Sequence, residues 1–249
     1  MSQTQTEGVI DAVDTGSTWS SLYIAGGWAA LAIVLLMVIQ IIVFVASPPP
    51  NDVRTWFALF QENWLLGLLN LDILYLVTNI LLVPIYLALY ASLKRVSETA
   101  TLIALALGLM GVTAYFASNT AFEMWALSNQ HASAATEAEK AVALAAGQAM
   151  LAIYKGTAFD VYYILDAVFL LVISVVMLRS EIFSKATAYS GLLSGLLMAV
   201  PSTVGTIGPY FALASLAPWA VFSVLVARKL FRLGRKTRGG QAELLSRTL

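Results

Sequence analysis

The feature that most constrains this chain is a series of six apolar stretches, each about long enough to cross a bilayer. They lie at about 24–46, 65–91, 99–121, 158–178, 187–208 and 211–230. A helix needs about 20 apolar residues to cross roughly 30 Å of hydrocarbon. Only helices and closed barrels satisfy their own backbone there, and these runs lack the alternation of barrel strands. Charged residues make up 11% of the chain and hydrophobic residues 59%, whereas soluble domains hold about 25% charged residues. The expected fold is all-α, an integral membrane bundle of six transmembrane helices. The first stretch reads as a span rather than a cleaved leader. Residues 1–23 hold no Lys or Arg, the apolar run is too long, and Phe44 stands where cleavage needs a small residue.

Two further stretches read as short helices outside the bilayer, on its outer side. In "NDVRTWFALFQENW", 51–64, Trp56, Phe57, Phe60 and Trp64 share one helix face, as in an amphipathic helix lying at the interface. In "TEAEKAVALAAGQAMLAIYK", 136–155, the uncharged part runs only from Ala141 to Tyr154, too short to cross. Thr136 and Glu139 form a capping-box pattern that opens this helix, and Lys155-Gly156 breaks it from the fourth span. The expected organisation is a polar acidic tail over 1–23, a six-helix membrane domain over 24–233 and a polar basic tail over 234–249.

Basic residues set orientation. With six spans and a cytoplasmic N-terminus, 11 of the 14 Lys and Arg fall inside, and Arg54, Lys140 and Lys155 fall outside. A seventh span at 136–155 would put Arg179 and Lys185 opposite Lys94 and Arg95. Both termini are therefore expected in the cytoplasm of a cell-membrane protein. The run "RKLFRLGRKTR", 228–238, reads as a stop-transfer end that meets anionic lipid headgroups; it is too short to suggest nucleic acid. Trp56, Trp64 and Trp125 read as an outer aromatic belt and Trp28 as an inner anchor.

The chain has no cysteine and one histidine, His131, in a stretch that reads as a solvated loop. Thiolate chemistry, Cys-ligated metals and multi-histidine metal sites are excluded on residue types, and no cofactor is called for. The chemically expensive residues are aspartates within spans. Asp160 is near the outer end of its segment, within reach of headgroups. Asp166 lies about 12 Å deep by helical rise and should face the bundle interior, because an acid facing lipid there is costly. Asp72, in the second segment, should sit at a similar depth. Together with Tyr75, Asn79, Tyr115, Asn119 and Tyr163 these two acids would line an outward-facing polar pocket for a small ligand, lipid or ion. The same groups could instead tie the helices together by interhelical hydrogen bonds. Gly191 and Gly195 form a G-x-x-x-G that suits close packing within the bundle, and Pro84, Pro201 and Pro218 can kink their helices.

Several stretches resemble a family of bacterial and archaeal membrane proteins, domain of unknown function 4386. They are "NLDILYLVTNILLVPIYLALYASLKR", "ATEAEKAVALAAGQAMLA", "VVMLRSEIFSKATAYSGLLSGLLMAVP" and "PWAVFSVLVARKLFRLGR". The resemblance covers about 20–235 and implies a six-helix membrane protein, with no catalytic residues to carry over. The residues themselves point to a non-enzymatic membrane protein. A small proton-coupled transporter using the intramembrane aspartates is the alternative, and an intramembrane aspartyl enzyme the least favoured class.

Because the chain has no cysteine, single introduced thiols report topology cleanly. In intact cells an impermeant thiol reagent should label Ser133→Cys and spare Ser246→Cys. Reversed labelling would sink the orientation, and equal labelling the span count.

Overall fold

The computed structural model describes residues 3–248, with side chains described over 19–237. Among the described residues there are ten helices and no strand. They are α1 Gln3–Ala46, α2 Val53–Glu62, α3 Trp64–Asn70, α4 Ile73–Leu93, α5 Glu98–Ser118, α6 Ala121–Ser133, α7 Glu137–Tyr154, α8 Thr157–Leu178, α9 Lys185–Met198 and α10 Gly208–Thr248. Six of these, α1, α4, α5, α8, α9 and α10, form a ring. Each packs on the next in that order, and α10 closes back onto α1. Short connections between α4 and α5 and between α8 and α9 leave each pair no arrangement but antiparallel. Five stretches are long and apolar enough to cross a membrane: Trp19–Ala46, Ile73–Leu93, Glu98–Ser133, Glu137–Leu178 and Gly208–Thr237. The outer wall of the ring exposes Leu35, Ile42, Ile80, Leu102, Met110 and Leu196. Such a continuous apolar surface requires lipid rather than water around it, so the protein is membrane-embedded.

The ring has two distinct ends. At one, α1 and α5 finish while α4, α8 and α10 begin, as hydrogen bonds from Gln40 to Leu69, Asn119 to Leu71 and Thr203 to Asp160 require. At the other, the Lys94 ammonium lies over the Trp19 ring, 4.7 Å from its centroid, and Ser20 Oγ donates to the Gly234 carbonyl at 2.9 Å.

The first end is covered by a cap of α2, α3, α6 and α7 with its own apolar core. Trp56, Phe57, Phe60, Leu68, Met124 and Ala143 are buried there. The aromatic face of α2 is thus covered by protein, by α6, α3 and α7, rather than laid on headgroups. Its periodicity reported burial correctly, but an apolar stripe does not say what buries it. Trp56 is consequently not part of an aromatic belt, while Trp64 and Trp125 stack at 5.3 Å with Trp64 exposed. The capping box of α7 is present: Thr136 accepts from the Glu139 amide, and Glu139 accepts from the Thr136 amide. Asp52 caps α2, and bonds from the Thr55 hydroxyl and the Thr55 and Arg54 amides hold its carboxyl below the usual range. His131 is not in a loop. It lies in the last turn of α6, half-buried, with its ring 5.5 Å from that of Phe57.

Two further sequence expectations need correction. The fifth stretch is not one long helix, because α9 stops at Met198 and residues 199–207 are non-helical. Pro201 does not kink a helix but follows its end, since a proline disfavours helical geometry in the residue before it. The backbone is helical from Gln3 into the first span and from the last span to Thr248. The side chains of residues 1–18 and 238–249, which include most of the acidic tail, lie outside those described.

The bundle core is aliphatic, with Ile33, Leu89, Ile173, Val226 and Leu230 buried. Glycines set its closest approaches. The G-x-x-x-G pair works within the molecule: a Cβ on Gly191 would lie 2.2 Å from Ser174 Oγ and 2.9 Å from the Phe222 ring, and one on Gly195 3.0 Å from Leu171. Gly191→Ala should therefore lower the melting temperature in detergent, by an overpacking cost of about 1–3 kcal/mol. Ser174 Oγ is the nearest atom and has no hydrogen-bond partner. Adding Ser174→Ala should recover part of the loss; no recovery would mean the clash lies elsewhere.

Candidate functional site

The second span is broken. Helix α3 ends at Asn70 and α4 begins at Ile73, and Asp72 between them takes φ 61 and ψ 33, the left-handed region. For a non-glycine residue that conformation costs about 1–2 kcal/mol, and Asp is among the few that visit it. A break among buried residues, with Asn70 1% and Leu71 0% exposed, also leaves backbone carbonyls that must find partners within the protein. Neighbouring helices supply them. Gln40 on α1 donates to the Leu69 carbonyl at 3.0 Å. Asn119 at the end of α5 donates to the Leu71 carbonyl at 2.8 Å, and its Oδ1 accepts from the Ala121 amide at 3.2 Å. The Tyr115 hydroxyl reaches the Asp72 carbonyl at 3.4 Å. The Tyr154 hydroxyl, from the last residue of α7, donates to Asp72 Oδ2.

Asp166 is held differently. It is 4% exposed, on α8, facing the interior beside α4, and its Oδ1 accepts from the Tyr86 hydroxyl at 3.0 Å. Two glycines of α5 make room. A Cβ on Gly111 would lie 2.9 Å from Asp166 Oδ1, and one on Gly108 2.7 Å from the Tyr86 ring. Asp160 is half-buried in the first turn of α8 and accepts from the Thr203 hydroxyl. The contrast between a deep Asp166 and a shallow Asp160 holds.

The two deep acids do not share a partner: Asp166 pairs with Tyr86 on α4, while Asp72 pairs with Tyr154 of the cap.

Two adjoining cavities run down from the cap. The outer one, a vestibule of about 940 Å³, is bordered by Asp72, Tyr75, Tyr115, Tyr154, Phe159 and Thr203, among others, with exposed Asn51, Gln148, Lys155 and Gly205 at its rim. The inner one, of about 90 Å³, is bordered by Asp166, Tyr86 and Trp219 among mostly apolar residues. Gln40, Tyr75, Tyr162, Tyr163, Ala212 and Leu216 border both. Of the residues read from the sequence, Tyr75 and Tyr163 stand in the shared wall. Asp72 and Tyr115 border only the vestibule, and Asp166 only the inner cavity. Asn79 and Asn119 border neither. Asn119 supports the break, and Asn79 donates to the Tyr75 carbonyl one turn back at 2.9 Å.

Sequence reasoning missed Tyr86, Tyr154 and Phe159. Tyr154 and Phe159 flank the α7–α8 junction, and their rings join those of Tyr115, Tyr162 and Tyr163 in one cluster. Tyrosine clustering at 154, 162 and 163 was visible in the sequence. Nothing local marks Tyr86 as the partner of a residue 80 positions away.

The family model described as Domain of unknown function (DUF4386) matches residues 24–231, and the chain belongs to that family of membrane proteins. No curated protein and no solved structure matches it.

The Tyr86–Asp166 bond should be measurable by a double-mutant cycle. Tyr86→Phe and Asp166→Leu should show a coupling of about 1 kcal/mol in unfolding free energy. Additive losses would mean the bond does not form. At the break, Asn119→Leu leaves the Leu71 carbonyl unpaired, and should cost about 1–3 kcal/mol, read as a lower melting temperature.

Proposed function

We propose that this chain is a non-enzymatic, multi-pass protein of the cell membrane that takes a small ligand into the vestibule from the outer face. The observation that carries this reading is the pair of adjoining cavities, one wide and rimmed by exposed residues, the other narrow and mostly apolar, sharing a wall of tyrosines. Six crossings fit the ring, in which α9 takes a full place between α8 and α10. By helical rise its 14 residues cover about 21 Å, and residues 199–207 complete the passage, lodged where the vestibule supplies partners. Orientation follows from charge. Lys94, Arg95, Arg179, Lys185 and the basic residues of α10 gather at the uncapped end, while Arg54, Lys140 and Lys155 belong to the cap. This makes the capped end outer and both termini cytoplasmic, with the exposed Arg228, Arg232, Arg235 and Lys236 set against anionic headgroups. Asp72 and Asp166 pair with different tyrosines, an arrangement suited to binding rather than to a shared-proton dyad.

A second reading, a proton-coupled carrier, draws on Asp166 bordering the inner cavity. Thiol accessibility tests both. Ser202→Cys, in the vestibule wall, should react from outside with both small and bulky reagents. Ser215→Cys, in the inner wall, should react only with a small one and more slowly. Protection of Ser202→Cys from outside reagents would overturn the vestibule reading, and reaction of Ser215→Cys from the cytoplasmic face would favour the carrier.

A further inference from the structure

The buried groups left without partners share one chemical character. Among the described residues, the unpaired buried side-chain atoms are Gln40 Oε1, Asn70 Oδ1, Asp72 Oδ1, Asn79 Oδ1 and Ser174 Oγ. Four of the five are acceptor oxygens. Gln40, Asn70 and Asp72 border the vestibule; Asn70 and Asp72 flank Leu71 at the α3–α4 break, and Gln40 bonds to the Leu69 carbonyl beside it. They are 2%, 1% and 8% exposed, so bulk water does not serve them. The Gln40 amide cannot be turned to present a donor instead. Its Nε2 faces the Leu69 carbonyl, which only accepts, so Oε1 must remain free. Asn70 is adaptable, because its amide faces the Ser47 hydroxyl at 3.3 Å and a hydroxyl can serve either way. Asp72 Oδ2 is taken by Tyr154, and its Oδ1 is open.

We propose that the break binds a primary ammonium group, with the apolar body of the amine lying among the vestibule's aromatic rings. A primary ammonium offers three N–H donors and no acceptor, which matches Gln40 Oε1, Asn70 Oδ1 and Asp72 Oδ1. Its charge is complementary to the Asp72 carboxylate, and charge-assisted bonds are the strong ones. The rings of Tyr75, Tyr115, Tyr154 and Phe159 border the same space, and aromatic faces attract cations. A vestibule of about 940 Å³ is far larger than a metal ion needs. Among the described residues no group of three or more His, Cys, Asp or Glu could hold one. Two other charges face this space. Lys155 borders it and, among the described residues, forms no ion pair with Asp72. Asp160 stands behind Thr203 at the rim, occupied by its hydroxyl. The proposal rests on the vestibule being open to ligand, as read above.

The test uses the full chain in detergent at neutral pH, titrated with phenethylammonium and with phenethyl alcohol, its uncharged match. Only the amine should bind and raise the melting temperature. The N,N,N-trimethyl analogue, which keeps the charge but has no N–H, should bind at least about tenfold more weakly. Asp72→Asn keeps a residue that tolerates the left-handed backbone and removes the charge; it should weaken the amine by at least about tenfold. Lys155→Gln should bind at least as tightly as the unaltered chain. Equal binding of amine and alcohol would overturn the proposal. So would equal binding of the trimethyl analogue, or full stabilisation by sodium chloride with no further effect of amine. The ligand series needs no variant, so a misfolded Asp72→Asn would not blunt the test. If Ser202→Cys reacts from outside yet no amine binds, this inference fails and the vestibule reading stands.

Discussion

Inside a bilayer no backbone polar group can be left to water, and this constraint shapes the molecule around one place. The ring helices meet it largely with their own ladders, although α9 stops at Met198 and leaves residues 199–207 non-helical. The second span does so only in part: between Asn70 and Ile73 it opens, and the carbonyls of Leu69 and Leu71 are paired by Gln40 and Asn119. The break is therefore not an isolated kink but a joint. It binds α1 through Gln40, α5 through Asn119 and Tyr115, and the cap through Tyr154. Asn119 also caps the start of α6 through the Ala121 amide, so one side chain fixes both the bundle and the cap laid over it.

Much of the fold could be read from the residues because its cause is local. Apolar length gave the ring helices, the Thr136–Glu139 pattern the start of α7, and depth the contrast between Asp160 and Asp166. The break was harder. "GLLNLDILYL" carries no proline, and its apolar content reads as a continuous helix. The signal was Asn70 and Asp72, whose short polar side chains compete for backbone partners and tolerate left-handed geometry. Taking Asp72 as a charge within a helix missed that it stands at the break, as the residue that precedes α4. The α2 face shows a different limit: Trp56, Phe57 and Phe60 had to be buried, but only the three-dimensional arrangement shows that α6, α3 and α7 bury them.

The candidate site was partly legible for the same reason. Tyr75, Tyr163, Asp72 and Asp166 border cavities because acids and tyrosines in apolar helices must turn inward. Asn119 and Asn79 turn inward too, but their amides go to backbone carbonyls. An amide can pair a freed carbonyl as readily as it can meet a ligand, and sequence does not separate these uses. The partner Tyr86 lay beyond reach because its pairing depends on Gly108 and Gly111 clearing space on a third helix.

The two deep acids differ in what their surroundings leave unspent. Around Asp166 the side chains are committed: Tyr86 donates to it, Gly111 lets it approach α5, and Phe169 packs against Tyr86 with centroids 3.8 Å apart. Any change of charge or shape there is felt by α4, α5 and α8 together. Around Asp72 the structural debts are met by one set of atoms, the amide nitrogens of Gln40 and Asn119 and the hydroxyl of Tyr154, while a second set of acceptor oxygens remains free. A joint that holds a fold together would be sealed most economically by leaving no acceptor unpaired. One that holds the fold and keeps acceptors in reserve at the edge of a large vestibule is organised for something that arrives carrying donors.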